Sequence, residues 1–175
     1  MEEKKYSLWL MLSGDVYNRL VNLISHLSEK YSAPNFEPHV TLLSQVVGTE
    51  KEITAKTSQL ATLIKPYEIK LTDLNYLDEY FRCLFIKVEE TEEVMNANTK
   101  AREIFGENIV NRHSDARYTP HLSLLYGNFS PQIKEEILKE TGKEFNASFK
   151  VESICLFFTE GEINNWHKVK EFTLR

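Results

Sequence analysis

The sequence contains few residues of the kinds that mark disulfide frameworks, linkers and disordered tails. Its 175 residues include 2 cysteines, 6 glycines and 5 prolines. The widely spaced Cys83 and Cys155 give neither a disulfide framework nor the spacing of a zinc site. Each lies in a strand-like apolar stretch, where a free cysteine usually behaves as a small buried hydrophobe. Because no Gly, Pro or Ser run indicates a linker, we expect one folded domain with a substantial core.

Positive charge and long apolar segments are also scarce. The formal net charge is -5, with 21 Lys and Arg against 26 Asp and Glu, which argues against broad binding to a phosphate backbone. No apolar run approaches the length of a membrane span. The apolar stretch at residues 6–12 has the shortest length that a signal peptide can use, contains Ser7 and lacks a small-residue cleavage site, so no signal peptide is predicted. We therefore predict a cytoplasmic protein with no membrane partner and no stable nucleic-acid complex, whereas a small anionic ligand in a local pocket is compatible with the acidic balance.

The sequence does contain a repeated six-residue stretch. Residues 38–43 are Pro-His-Val-Thr-Leu-Leu, and residues 120–125 are Pro-His-Leu-Ser-Leu-Leu. Because side chains alternate between the two faces of a strand, His39 shares a face with Thr41, and His121 shares a face with Ser123. The interleaved apolar residues lie on the other face and can anchor each strand in a core. The repeat therefore predicts one site with two imidazoles and two hydroxyls.

Apolar periodicity around the two motifs predicts the same order of elements twice. Helices are expected over residues 15–31, 53–64, 94–105 and 131–141, and strands over residues 67–77, 80–88, 118–126, 149–158 and 167–174. The fourth helix is bounded by Ser130-Pro131 and Gly142. We predict an α+β fold in one domain spanning 1–175, bilobal and internally duplicated, with repeats at about 6–77 and 80–175. Two antiparallel sheets should face a central cleft, with helices on their outer faces.

With these motifs the chain resembles the two-histidine phosphoesterase superfamily, whose signature is a pair of His-x-Thr/Ser motifs in a bilobal, duplicated α+β fold. It is most similar to the cyclic phosphodiesterase group through residues 80–83 (Tyr-Phe-Arg-Cys), 124–126 (Leu-Leu-Tyr) and 166–169 (Trp-His-Lys-Val). The resemblance implies a hydrolase of RNA metabolism, including tRNA splicing, that acts without a cofactor. The implied reactions are opening of 2',3'-cyclic nucleotides to nucleoside 2'-phosphates, and of ADP-ribose 1'',2''-cyclic phosphate to ADP-ribose 1''-phosphate.

The four motif residues suit that chemistry. Opening a cyclic phosphate requires a base for water, an acid for the departing ribose oxygen, and donors for the non-bridging oxygens. Histidine suits both proton roles because its unperturbed pKa lies near neutrality, and Thr41 and Ser123 can donate to the phosphoryl oxygens. The resemblance suggests His121 as base and His39 as acid, and a reversed substrate would exchange these roles. Two histidines could also bind zinc, but no third ligand recurs at either motif, so no metal is predicted.

Three aromatic residues are further substrate-binding candidates. Phe81 could stack on a base and Trp166 could wall the pocket, and core packing is the alternative for each. Tyr126 is similar to a substrate-contacting tyrosine of the family. Strand alternation places it on the face opposite His121, so it reaches the phosphate only if the chain turns before Gly127.

Two other functions keep the same fold. The first is an RNA-processing phosphoesterase or ligase acting on 2',5'-linked RNA, and the second is a non-catalytic nucleotide-binding module. The acidic balance and short length favour a small cyclic nucleotide as the partner. Arg112 and Arg117, in a polar loop before the second motif, are candidates for contact with a diphosphate.

Overall fold

A computed structural model of the chain describes residues 2–110 and 117–175. The strands are β1 (Lys4–Met11), β2 (His39–Gly48), β3 (Tyr67–Asn75), β4 (Leu84–Val88), β5 (His121–Leu125), β6 (Glu144–Val151), β7 (Ser153–Phe158) and β8 (His167–Thr173). The helices are α1 (Gly14–Lys30), α2 (Glu50–Ala61), α3 (Glu92–Phe105) and α4 (Pro131–Thr141). The strands form a curled antiparallel sheet in the order β6-β3-β4-β5-β2-β1-β7-β8.

The sheet has two four-stranded halves, β6-β3-β4-β5 and β2-β1-β7-β8. They join through the pair Val40 and Leu122, which are the middle residues of the two repeated motifs. The predicted α+β architecture of antiparallel sheets and helices is confirmed, with the two sheets continuous at this junction. The motif strands therefore lie side by side at the centre of the molecule.

Local capping explains where three helices begin. The side chains of Thr49, Thr91 and Ser130 each accept a hydrogen bond from a backbone N–H in the first turn of α2, α3 and α4, which satisfies a donor that the helix leaves unpaired. Gly142 ends α4 with a φ of 86°, a conformation that glycine adopts without steric cost. Helix α1 packs on β5, α2 on β7 and β8, and α3 on β2.

Two predicted strands differ from the observed ones. The segment expected to be a strand over 80–88 begins with a short 3₁₀ turn, Tyr80–Arg82, and continues as β4. This turn is held locally, because Arg82 donates to both carboxylate oxygens of Glu79 at 2.8 and 2.7 Å. The segment over 149–158 belongs to two strands, β6 and β7, which are separated at Glu152.

The core lies under the apolar faces of the motif strands. Val40, Leu42, Leu122 and Leu124 are completely buried, as the alternation in the repeat predicts. Their polar neighbours in sequence consequently point to the other face of the sheet. Among the helices of the described residues, none is long and apolar enough to cross a membrane.

Candidate active site

A cavity of about 590 Å³ lies over the centre of the sheet and brings the predicted site residues together. It is lined by all four motif residues and by the three predicted aromatic residues: His39, Thr41, His121, Ser123, Phe81, Tyr126 and Trp166. Arg117 also lines it, but forms an ion pair with Glu90. The other predicted loop arginine, Arg112, lies outside the described residues. One cavity therefore holds both halves of the duplicated motif.

The register of β2 and β5 interleaves the two motifs. Val40 lies opposite Leu122 in an antiparallel pair, and this register places His39 beside Ser123 and Thr41 beside His121. Residues directly opposite each other share a face of the sheet. Each imidazole therefore neighbours the hydroxyl of the other copy, which gives the site a local twofold arrangement.

Both imidazoles are oriented by the same backbone contact. The Nδ1 atom of His39 lies 2.7 Å from the carbonyl oxygen of Glu37, and the Nδ1 atom of His121 lies 2.8 Å from that of Thr119. A carbonyl oxygen accepts hydrogen bonds, so each Nδ1 carries a proton and donates it. In the neutral imidazole, Nε2 is then the basic nitrogen.

Burial keeps both histidines neutral in the ligand-free protein. Burial lowers the pKa of His39 from its ordinary value of 6.5 to about 4, and positive charge on His121 lowers it further. Burial also lowers the pKa of His121, assisted by the charge of Arg82. The site therefore presents two neutral imidazoles near pH 7, and a bound anion would favour protonation of either one.

The two hydroxyls have different surroundings. Ser123 is buried, and its Oγ donates to the carbonyl oxygen of Phe81 at 2.7 Å. This bond ties the second motif to the 3₁₀ turn that carries Phe81. Thr41 is partly exposed, and its backbone carbonyl accepts a hydrogen bond from Tyr118 at 2.8 Å.

Aromatic rings form one side of the cavity. The Phe81 ring lies 5.2 Å from the Tyr126 ring at 82° and 6.0 Å from the Trp166 ring at 29°. Tyr126 stacks on Phe36 at 3.8 Å. Tyr126 lines the cavity although strand alternation alone would place it opposite His121, because β5 ends at Leu125 and the alternation stops there.

Several residues that line this cavity were missed by sequence reasoning, among them Trp9, Arg82 and Asn98. The Trp9 indole stacks on the imidazole of His39, with ring centroids 3.5 Å apart and planes 4° apart. The sequence of β1 indicates that Trp9 shares a face of the strand with Ser7. It does not indicate which residue of another strand Trp9 contacts. Asn98 donates to the carbonyl of Leu42 at 2.7 Å, a contact that only the packing of α3 on β2 creates.

Two histidines in one cavity could also serve as metal ligands. Within residues 2–110 and 117–175, no group of three or more His, Cys, Asp or Glu side chains is placed to hold a metal ion. His39 and His121 thus lack a third ligand from the described part of the chain. The chemistry of the motif residues is that of proton transfer and hydrogen bonding.

Comparison with known proteins identifies the family. The family model described as cyclic phosphodiesterase-like protein matches residues 5–174. The chain belongs to this family. Family membership confirms the predicted two-histidine phosphoesterase relationship and the predicted enzyme class, a phosphodiesterase.

Individual relatives agree with this family over nearly the whole chain. The chain is 26% identical to a cyclic phosphodiesterase of Arabidopsis thaliana, over 97% of this chain and 96% of that protein. It is 24% identical to a 2',3'-cyclic-nucleotide 3'-phosphodiesterase of Yarrowia lipolytica, over 91% and 95%.

Solved structures share the fold at lower identity. TT0787 of Thermus thermophilus matches with a TM-score of 0.71 and 19% identity over 98% of both chains. Escherichia coli LigT in its apo form matches with a TM-score of 0.69 and 16% identity over 99% of both chains. The sheet and helices described above are therefore a fold that the chain shares with these two solved structures.

Proposed function

We propose that this phosphodiesterase opens 2',3'-cyclic nucleotides to nucleoside 2'-phosphates, and ADP-ribose 1'',2''-cyclic phosphate to ADP-ribose 1''-phosphate, by general acid and base catalysis without a metal. The observation that carries the proposal is the pair of interleaved motifs in one cavity, with each imidazole fixed through Nδ1. The names of the Arabidopsis and Yarrowia relatives support the substrate class. Structures of Escherichia coli LigT with 3'-AMP and NADP+ support a nucleotide-sized ligand in this fold.

The proposed reaction removes a proton from water on one side of phosphorus and delivers a proton to the leaving ribose oxygen on the other. Nε2 of His121 accepts a proton from water while the water oxygen bonds to phosphorus. The bond from phosphorus to the ribose 3'-oxygen breaks, and Nε2–H of His39 donates its proton to that oxygen. Two groups held on adjacent strands favour an in-line arrangement of the entering and leaving oxygens.

In this scheme His39 takes up its proton when the substrate binds. A neutral His39 cannot protonate a leaving oxygen, and burial keeps it neutral in the ligand-free protein. The cyclic phosphate is an anion, and an opposite charge nearby favours the protonated imidazole. Thr41 and Ser123 are proposed to donate to the non-bridging oxygens, which requires the Ser123 hydroxyl to turn from the carbonyl of Phe81.

A side-by-side assay tests the proposal. The protein, His39→Ala and His121→Ala would each be incubated with a 2',3'-cyclic mononucleotide, ADP-ribose 1'',2''-cyclic phosphate and 2',5'-linked RNA, with and without a strong chelator. We expect the unmodified protein to open the cyclic phosphates in the presence of chelator, and each variant to lose most of that activity. Phosphorus NMR of the product should show the 2'-phosphate.

Three results would contradict parts of this scheme. A predominant 3'-phosphate would exchange the acid and base roles. Cleavage of 2',5'-linked RNA with no reaction on cyclic phosphates would establish the alternative RNA-processing function. Full turnover by either single histidine variant would remove the two-histidine mechanism.

A further inference from the structure

The duplicated site is asymmetric in the aromatic residues beside it. Trp9 of β1 and Phe85 of β4 occupy equivalent positions, because each pairs with the hydroxyl residue of the adjacent motif. The Trp9 ring lies face to face with the imidazole of His39 at 3.5 Å and 4°. The Phe85 ring lies 5.5 Å from the imidazole of His121 at 71°. The first histidine is stacked on an aromatic face, and the second is not.

The face that Trp9 presents is rigidly held. Its ring also stacks on Phe157, at 3.8 Å and 20°. Two rings nearly parallel to one indole and within 4 Å of it cannot share a face, so Phe157 and His39 lie on opposite sides. The indole N–H donates to Ser7 Oγ at 2.8 Å, and that hydroxyl donates to the carbonyl of Leu43 at 3.1 Å. Two stacks and a hydrogen-bond chain therefore fix the indole.

The asymmetry extends to the charges around the two histidines. The residue opposite His39 on β1 is the uncharged Met11, whereas the residue opposite His121 on β4 is Lys87. Arg82, from the 3₁₀ turn, lowers the pKa of His121, whereas Glu79, the ion-pair partner of Arg82, raises it. His121 thus has charged side chains of both signs near it, while His39 has an electron-rich ring face, which attracts a cation placed over it.

Other titratable groups near His39 come from several parts of the chain. His121 lies on the adjacent strand β5, and Lys168 of β8 lines a neighbouring cavity that Trp9 also lines. The carboxylate of Glu37 accepts a hydrogen bond from Tyr17 of α1 at 2.6 Å. The hydroxyl of Tyr118, just before β5, donates a hydrogen bond to the Thr41 carbonyl. The indole face is the group in direct stacking contact with the imidazole.

We propose that Trp9 is a positioning residue for His39: it fixes the imidazole and favours its protonated form once the anionic substrate is bound, so that His39 donates the proton to the leaving ribose oxygen. This inference rests on the proposed function, since it assigns the acid within that reaction. The hydrogen bond from Nδ1 to the carbonyl oxygen of Glu37 fixes the direction in which the imidazole points. Stacking on the indole fixes the plane of the imidazole ring. The remaining nitrogen, Nε2, is then the one available for proton donation.

The decisive variant is Trp9→Leu, which keeps apolar bulk but removes the aromatic face. The matched control is Phe85→Leu at the equivalent position beside His121. The alkaline limb of the kcat profile against pH reports loss of the protonated acid. We expect Trp9→Leu to move that limb to lower pH by about 0.4 to 1.5 units, the size of a cation–π contact. We expect Phe85→Leu to leave it in place, and Trp9→Phe to show a smaller shift than Trp9→Leu.

A second measurement does not require turnover. Proton NMR titration of the histidine Cε1–H signals, with saturating inorganic phosphate, follows each imidazole, and His39→Gln identifies the signal of His39. We expect the His39 midpoint to fall in Trp9→Leu and Trp9→Phe, with the larger change in the former. If no cyclic phosphate is hydrolysed but this titration behaves as expected, the proposed function fails, and the effect of Trp9 on the protonation of His39 stands without the assignment of His39 as acid in that reaction.

Two outcomes would overturn the role of Trp9. An alkaline limb or a His39 midpoint that moves to higher pH in Trp9→Leu would mean that exclusion of water, and not the ring face, is the effect of the indole. Equal shifts in Trp9→Leu and Phe85→Leu would mean that the stacked geometry has no specific effect. Circular dichroism of each variant checks that it is folded, and Trp9→Phe provides the test if Trp9→Leu is not.

Discussion

At the scale of single residues, each motif histidine obtains its orientation from its own sequence neighbourhood. The acceptor in both cases is the carbonyl two residues earlier, and a proline lies between. The residue before a proline favours extended backbone, and the proline has its own φ fixed, so the tripeptide Glu37-Pro38-His39 is restrained before any packing. The hydroxyl residues are held differently, because Ser123 already donates to Phe81.

This difference predicts different kinetic effects for the two hydroxyls. Removing either phosphoryl donor should cost about 2–4 kcal/mol of transition-state stabilisation. We expect Ser123→Ala also to raise KM, because it releases the turn that carries Phe81, whereas Thr41→Ala should mainly lower kcat. Steady-state kinetics with a 2',3'-cyclic nucleotide measures both, with Ser123→Thr as the control that keeps a hydroxyl. A KM change of the same size in both alanine variants would show that the bond to Phe81 does not shape the binding site.

At the scale of elements, α4 restrains the loop that leads to the 3₁₀ turn. Lys134 is 2% exposed, and its Nζ donates to the carbonyl of Leu77 at 2.8 Å. Its other partner, Asp78 at 3.4 Å, has a fully exposed carboxylate, and such pairs contribute little to stability. The hydrogen bond from this buried side chain to the backbone therefore links α4 to the loop.

We expect Lys134→Met to lower the free energy of unfolding by about 1–3 kcal/mol, because the hydrogen bond from the charged ammonium group to the carbonyl of Leu77 is lost. Asp78→Asn should change the free energy of unfolding by only about a few tenths of a kcal/mol, since the carboxylate is solvated. Urea unfolding of the two variants and the unmodified protein gives both values. A larger loss in Asp78→Asn than in Lys134→Met would assign the restraint to the ion pair.

The same element shows where sequence-based prediction succeeds and where it stops. The start and end of α4 were predicted because Ser130-Pro131 and Gly142 are local signals. The 3₁₀ turn was missed because an apolar run does not reveal which contacts restrain it. Trp9 was missed for a related reason: alternation in β1 shows which side chains share a face, but the contact with His39 depends on pairing between strands distant in sequence.

At the scale of the whole molecule, the two halves of the sheet join at β2 and β5, and this junction places the two motif histidines in the interior. The motif strands are central, with their apolar residues in the core and their histidines on the cavity side. His39 is 6% exposed. A neutral imidazole is tolerated there, but a charged one loses its hydration. The site therefore makes the stability of the entire fold depend on pH.

The direction of that dependence follows from the His39 pKa, which is about 4 in the folded protein against an ordinary value of 6.5. Between these values the unfolded chain binds more protons, so the stabilising contribution is present above about pH 6.5 and is lost as pH falls toward 4. The upper limit of this contribution is roughly 3 kcal/mol, and His121 acts in the same direction.

We expect urea unfolding at pH 7 and pH 4.5 to show a smaller loss of stability in His39→Gln than in the unmodified protein. Carboxylates with lowered pKa values, Glu52 and Glu171, remain in both proteins and cancel in the difference. Parallel losses would mean that His39 takes up its proton in the folded state as readily as in the unfolded one.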